Sequence, residues 1–120
     1  MAVRVMIVDD SPFSRTLIAE TLTEGGFEIA GEADSLESAL KTYEEVQPDL
    51  VTMDIAMPEH DGFEVSRALL RHDPKAKIIL SSSMKDEETE MEAKRIGVSG
   101  YVQKPLEAET LFTIIEKVLS

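Results

Sequence analysis

Three aspartates, a run of serines and one lysine are the residues whose types could do chemistry together. Asp9 and Asp10 follow one apolar run and Asp54 ends another. Ser81, Ser82 and Ser83 follow a third, and Lys104 precedes Pro105 after a fourth. If folding brings the three carboxylates together, the grouping is costly. Two like charges about 4 Å apart repel by about 4 kcal/mol at the dielectric typical near a protein surface. Either the pKa values rise or a cation sits among them. All-oxygen ligands select a hard cation, Mg²⁺ or Mn²⁺ before zinc. Mg²⁺ commonly takes one or two carboxylates and keeps several waters, which leaves room for a phosphate oxygen. Lys104 would add a point positive charge and Ser82 a hydroxyl donor, and both suit a phosphoryl group. A carboxylate can itself attack phosphorus and form an acyl phosphate. Asp54 is the candidate nucleophile, since it stands alone between the aspartate pair and the serine and lysine positions. Taken singly, an Asp after a strand is most often a cap or turn residue, and a Ser-rich turn is usually only a turn. The co-occurrence of all four places carries the argument.

The elements that must position these residues recur at a regular beat. Val3 to Val8 is a near-continuous β-branched-rich run, the pattern of a strand buried on both faces. Phe27 to Gly31, Leu50 to Met53, Ile78 to Leu80 and Tyr101-Val102 follow as four more strands. Between them lie helix-period segments. Phe13, Leu17, Ile18 and Leu22 fall at helical spacing after Ser11 as N-cap and Pro12 as the first helical residue, and Gly25-Gly26 stops that helix. Leu36, Ala39, Leu40 and Tyr43 repeat the pattern, with Pro48 beyond the end. A third helix runs from about Gly62 to Arg71, with Pro74 closing the segment. A fourth, the most polar, runs from about Asp86 to Ile96 and ends at Gly97. The fifth carries Leu111, Ile114, Ile115 and Val118 on one face. Five strands alternating with five helices imply a doubly wound α/β fold, a parallel sheet covered on both faces. Ligands of such sheets sit at the carboxyl ends of the strands, where Asp9, Asp10, Asp54, Ser82 and Lys104 stand.

Composition narrows the rest. The 120 residues make one domain, with 42% hydrophobic and 30% charged residues, a globular balance. With no cysteine, a disulfide scaffold, a thiolate zinc site and a cysteine nucleophile are excluded. No apolar run is long enough to span a membrane, and Met1-Ala2-Val3-Arg4 lacks a signal-peptide pattern, so a cytoplasmic protein is expected. Twelve basic residues against 24 acidic ones leave a formal net charge of −12. A surface that acidic repels nucleic acid and anionic lipid, so neither is an expected partner.

The segments Val5-Met6-Ile7-Val8-Asp9-Asp10-Ser11, Asp54-Ile55-Ala56-Met57-Pro58-Glu59-His60-Asp61-Gly62, Ser81-Ser82-Ser83 and Lys104-Pro105 together resemble the receiver domain of bacterial two-component response regulators. The resemblance covers the whole chain and is nearest to single-domain, chemotaxis-regulator-like (CheY-like) members. It implies a flavodoxin-like (βα)5 sheet of order 2-1-3-4-5, an order for which the handful of well-known examples includes CheY itself. It implies one receiver domain over residues 1–120 with no output domain, and a monomer. Asp54 would be the phosphoacceptor. Asp9 and Asp10 would hold Mg²⁺, with Asp54 and the backbone carbonyl of Ala56 as further ligands. Lys104 would pair with the phosphoryl group, Ser82 would be the switch hydroxyl, and Tyr101 the aromatic whose rotamer follows it. Gly62 matches the turn glycine before the third helix, and the Lys104–Pro105 bond would be cis. The implied partners are a histidine kinase and a target protein on the face built from the fourth helix, fifth strand and fifth helix.

Two positions depart from the best-known chemotaxis pattern. Ala56 stands where an amide is frequent, and Met84 where an acid is frequent. Both touch the rate of phosphoryl loss and the choice of partner. A flavodoxin-like flavin binder would want an anion cradle after the first strand, and Asp9-Asp10 there repels phosphate unless a metal intervenes. A metal-dependent phosphatase would normally place a second Asp two residues after its nucleophile, where this chain has Ala56. A receiver that folds without being phosphorylated would lack one of the acids or the lysine, and a longer regulator could carry this domain at its N-terminus. His60 and His72 read as solvated side chains without a role, and the six methionines as core filler.

Overall fold

Each apolar run is a strand of one parallel sheet. The computed structural model describes residues 2–84 and 86–120. In chain order the elements are β1 (Arg4–Val8), α1 (Pro12–Glu24), β2 (Glu28–Ala33), α2 (Leu36–Val46), β3 (Leu50–Asp54), α3 (Gly62–His72), β4 (Ile78–Ser82), α4 (Glu87–Ile96), β5 (Gly100–Gln103) and α5 (Ala108–Leu119). The hydrogen-bonded order is β2-β1-β3-β4-β5, the order that the resemblance implied. All four pairings are parallel.

The side-chain period of two splits the sheet residues between two cores. Met6, Val8, Val51, Met53, Ile78 and Leu80 pack on the face covered by α2, α3 and α4. Val5, Ile7, Leu50, Ile79 and Val102 pack on the face covered by α1 and α5. The central strands β3 and β4 are buried along their whole length. Fully burying one Leu, Ile or Val side chain stabilises by about 1.5–3 kcal/mol, so these strands are the rigid frame on which the strand ends are held. β2 is an edge strand, and only Ala33 of its six residues is buried, which explains its weak apolar signal.

Helix starts follow local chemistry. Ser11 accepts the Ser14 amide, Ser35 forms a capping box with Ser38, Asp61 accepts the Glu64 amide, and Asp86 the Thr89 amide. Each satisfies an amide that the first turn leaves without a partner. Gly97 ends α4 with φ +95°, a left-handed conformation that favours glycine.

The helical spacing in α1 divides between two faces, and one expectation, that the methionines are core filler, needs correction. Phe13 and Leu17 do not share the buried face of Ile18 and Leu22, but are 74% and 48% exposed. A helical residue advances by roughly 100°, so Phe13 and Leu17 form one line and Ile18 and Leu22 another, on nearly opposite sides of α1. The methionines are not all filler. Met6, Met53 and Met57 are buried, whereas Met84 and Met91 are more than half exposed. Met1 lies outside the described residues. Met91 sits on α4, whose apolar content is too low to bury more than one side, and only Ala93 of that helix is buried.

Candidate functional site

The parallel order sets the carboxyl ends of β1, β3, β4 and β5 along one edge. Backbone hydrogen bonds hold that edge beyond the strands themselves. The Asp9 amide donates to the Ala33 carbonyl at 3.0 Å, the Ile55 amide to Ser81 at 3.0 Å, and the Lys104 amide to Ser82 at 2.8 Å. The loop after β3 is closed by the Gly62 amide on the Ile55 carbonyl at 2.9 Å. A Cβ at position 62 would collide with the Asp54 carbonyl oxygen and Ile55 Cα, so only glycine lets α3 start this close to the acid. The Lys104–Pro105 bond is cis.

Asp9, Asp10 and Asp54 converge. One carboxylate oxygen from each lies within 4.8 Å of the others. Asp9 and Asp54 are buried, and Asp10 is exposed at the mouth. Lys104 Nζ lies 3.0 Å from Asp54 Oδ1 and 3.4 Å from Asp9 Oδ2. Burial pushes the Asp54 carboxyl above its ordinary value, and the Asp9 charge adds to this. The Lys104 ammonium and the Ala56 amide, which donates to the carboxylate, pull the other way. The donors are all oxygens and two of the carboxylates are out of bulk water. That set fits a hard divalent cation, whose charge would relieve the repulsion among the acids.

Ser82 stands at the end of β4, buried. Its Oγ accepts the Met84 amide at 2.9 Å. Tyr101, on β5, donates its hydroxyl to the Met84 carbonyl at 3.0 Å. The two residues are therefore joined through the backbone of Met84. Ala56 lies exposed on the loop after β3. The Met84 side chain is exposed. His60 pairs with Glu64 at 3.1 Å and His72 with Glu44 at 2.7 Å, both half-exposed, which agrees with solvated surface roles.

The sequence reading did not single out the residues that hold Asp9. Its Oδ1 accepts the Ser11 amide at 2.9 Å, and its Oδ2 accepts the Ser14 hydroxyl at 2.5 Å. Arg15 Nη1 donates to the Asp9 carbonyl at 2.6 Å. No spacing rule marks this bond: Ser14 lies in the first turn of α1, five residues after Asp9 and three after the N-cap Ser11.

Residues 5–116 match the response regulator receiver domain. The chain belongs to that family. Its receiver sequence is 38% identical over 118 residues to the chemotaxis protein CheY of Thermotoga maritima, covering 98% of each chain. It is 38% identical over 120 residues to the chemotaxis protein CheY of Bacillus subtilis, covering 100% of each. Among solved structures it superimposes on a chain of the CheX–CheY–BeF3–Mg²⁺ complex from Borrelia burgdorferi with a TM-score of 0.93. That match has 28% identity and covers 98% of this chain and 90% of that one. The receiver domain is a unit of phosphorylation-dependent signalling, and receivers bind Mg²⁺ through an acidic pocket of the kind formed here by Asp9, Asp10 and Asp54.

Proposed function

We propose that this receiver is a signalling switch that accepts a phosphoryl group on Asp54. The observation that carries the reading is the Lys104 ammonium 3.0 Å from Asp54 Oδ1, beside a cluster of three carboxylates. A buried carboxylate held by one lysine and adjoining two further acids is arranged to meet an incoming anion in the company of a cation. The Borrelia burgdorferi relative was solved with Mg²⁺ and BeF3, which supports the same use of this pocket.

Asp9, Asp10 and Asp54 would hold Mg²⁺, with the backbone carbonyl of Ala56 as a further ligand; Mn²⁺ suits the same oxygens. When bound, the cation supplies charge neutralisation for the transferring phosphoryl group. The chain's own residues do the rest. An Asp54 carboxylate oxygen attacks phosphorus in line, forming a P–O bond. The bond from phosphorus to the donor breaks at the same centre: P–N when the donor is the phosphohistidine of a histidine kinase, P–O when it is a small acyl phosphate. The donor leaves with the electron pair. Lys104 stabilises the charge spread over the phosphoryl oxygens. Attack on phosphorus by a water opposite the Asp54 oxygen later breaks the Asp54 O–P bond, which returns the carboxylate and releases inorganic phosphate.

The modified Asp54 carries about −1.5 to −2 charge. The Ser82 hydroxyl, which already accepts from Met84, turns to donate to a phosphoryl oxygen. Its movement pulls on the Met84 backbone and so on the Tyr101 hydroxyl bonded there. A groove of about 470 Å³ between α4, β5 and α5, lined by Glu90, Tyr101, Gln103, Glu107 and Ile114, is the surface that changes for the target protein. The reading has the chain working in the cytoplasm; no described helix is long and apolar enough to cross a membrane.

The test is labelling with acetyl phosphate and Mg²⁺. Wild type should gain one phosphoryl group, and Asp54→Asn, which keeps the shape but lacks a competent nucleophile, should gain none. Full labelling of Asp54→Asn would remove the assignment.

A further inference from the structure

We propose that Ser14 is a positioning residue for the acid pocket: its hydroxyl holds the Asp9 carboxylate in the orientation that receives the cation and leaves Lys104 to Asp54. The proposal rests on the reading of Asp9 as a metal ligand.

Ser14 behaves unlike Thr16 and Thr21 of the same helix. Thr16 donates to the Pro12 carbonyl at 3.0 Å and Thr21 to the Leu17 carbonyl at 2.9 Å. That is the usual local bond of such residues inside a helix. Ser14 instead reaches out of the helix to Asp9 Oδ2 at 2.5 Å. The distance is that of a hydroxyl bound to an ionised carboxylate. Capping does not require this hydroxyl, because Ser11 supplies the cap and Ser14 takes part in it only through its amide.

Asp9 is fully buried, so each of its oxygens needs a donor. The Ser11 amide serves Oδ1. At Oδ2 the Ser14 hydroxyl is the near partner, and Lys104 Nζ the far one at 3.4 Å. Lys104 is at the same time 3.0 Å from Asp54 Oδ1. One ammonium thus stands between two buried carboxylates, and Ser14 decides the share. Without its hydroxyl, Asp9 Oδ2 is left with Lys104 alone. The ammonium is then drawn toward Asp9, and the carboxylate is free to rotate about its side-chain bonds. Ligands fixed by an outer hydrogen bond bind metal better than unfixed ones, by about 10- to 100-fold in known sites. Ser14 sits on a helix anchored by buried Ile18 and Leu22, so the hydroxyl is delivered from a rigid support.

The experiment is a Mg²⁺ titration of the intact chain, followed by amide shifts at the strand ends, for wild type, Ser14→Ala, Ser14→Thr and Asp10→Ala. Ser14→Ala should lose about tenfold in Mg²⁺ affinity, with a wild-type-like amide spectrum for the rest of the sheet. Ser14→Thr, which retains the hydroxyl, should recover to within about threefold of wild type. Asp10→Ala should lose affinity through the pocket itself. Ser14→Ala binding Mg²⁺ within twofold of wild type would overturn the positioning role. So would Ser14→Thr binding as weakly as Ser14→Ala, because the hydroxyl would then not be the group that matters. If Asp10→Ala binds Mg²⁺ as well as wild type does, the acid pocket is not the metal site, and the reading of the pocket fails whatever Ser14 does.

Discussion

Lys104, at the end of β5, reaches past the end of β4 and sets its ammonium 3.0 Å from Asp54 Oδ1 at the end of β3. The intervening strand is ended by Ser81 and Ser82, whose short side chains leave the path open. The same ammonium lies 3.4 Å from Asp9 Oδ2, so one positive charge serves two buried negative ones.

Lys104→Met should keep the fold and the Mg²⁺ site but slow phosphorylation from acetyl phosphate by about 10²-fold, the usual loss when one transition-state donor is removed. The initial rate of label uptake at saturating Mg²⁺ measures it. A rate within threefold of wild type would mean that Lys104 pairs with Asp54 only in the resting site.

Asp54→Asn should be more stable than wild type in metal-free buffer near neutral pH. Burial raises the folded carboxyl above its unfolded value, so the folded state binds the proton more readily. Its ionised form is a penalty that is present above the folded pKa and gone below the unfolded one. The advantage of the amide should therefore shrink as the pH falls through the raised value. Melting temperatures of both proteins at about pH 7.5 and about pH 4.5 in EDTA test the sign. An advantage that grows toward acid would show that Lys104 outweighs burial.

Thr52→Val should stabilise the chain by about 1 kcal/mol, or roughly 4 °C in Tm. Thr52 is buried on β3 opposite Ile7 and Ile79, and among the described residues its hydroxyl has no hydrogen-bond partner. Valine keeps the β-branched shape and removes the unsatisfied group. Chemical denaturation of the two proteins decides, and a less stable variant would mean that the hydroxyl finds a partner in solution.

Ala56→Asn combined with Met84→Glu should speed loss of the Asp54 phosphoryl group by roughly tenfold, about 1.4 kcal/mol of barrier. Hydrolysis needs a water opposite the leaving carboxylate, and neither Ala56 nor the exposed thioether of Met84 can orient it by hydrogen bonding. Label remaining after donor removal is the readout. Equal lifetimes would place control of the water elsewhere.

Sequence alone determined the alternation of strands and helices and the carboxylates and lysine at the strand ends. Both follow from short-range facts: a buried parallel strand is a continuous apolar run, and residues just beyond it face the ligand edge. It also determined the start of α1, with Ser11 as cap and Pro12 as first helical residue, both of which act within four residues. Tertiary structure decided what depends on the approach of distant segments. Phe13 and Leu17 share helical spacing with Ile18 and Leu22, yet only the packing of α1 on the sheet shows which pair is covered. The division of Lys104 between Asp54 and Asp9 spans 95 residues in the latter case and rests on strand order and stagger. The turn of Ser82 toward the Met84 amide, and the bond from Ser14 to Asp9, are set by side-chain rotamers that no spacing rule encodes. Periodicity reports which face a residue is on, whereas differences of a few tenths of an ångström among buried charges arise only when the two packed layers fix every backbone at once.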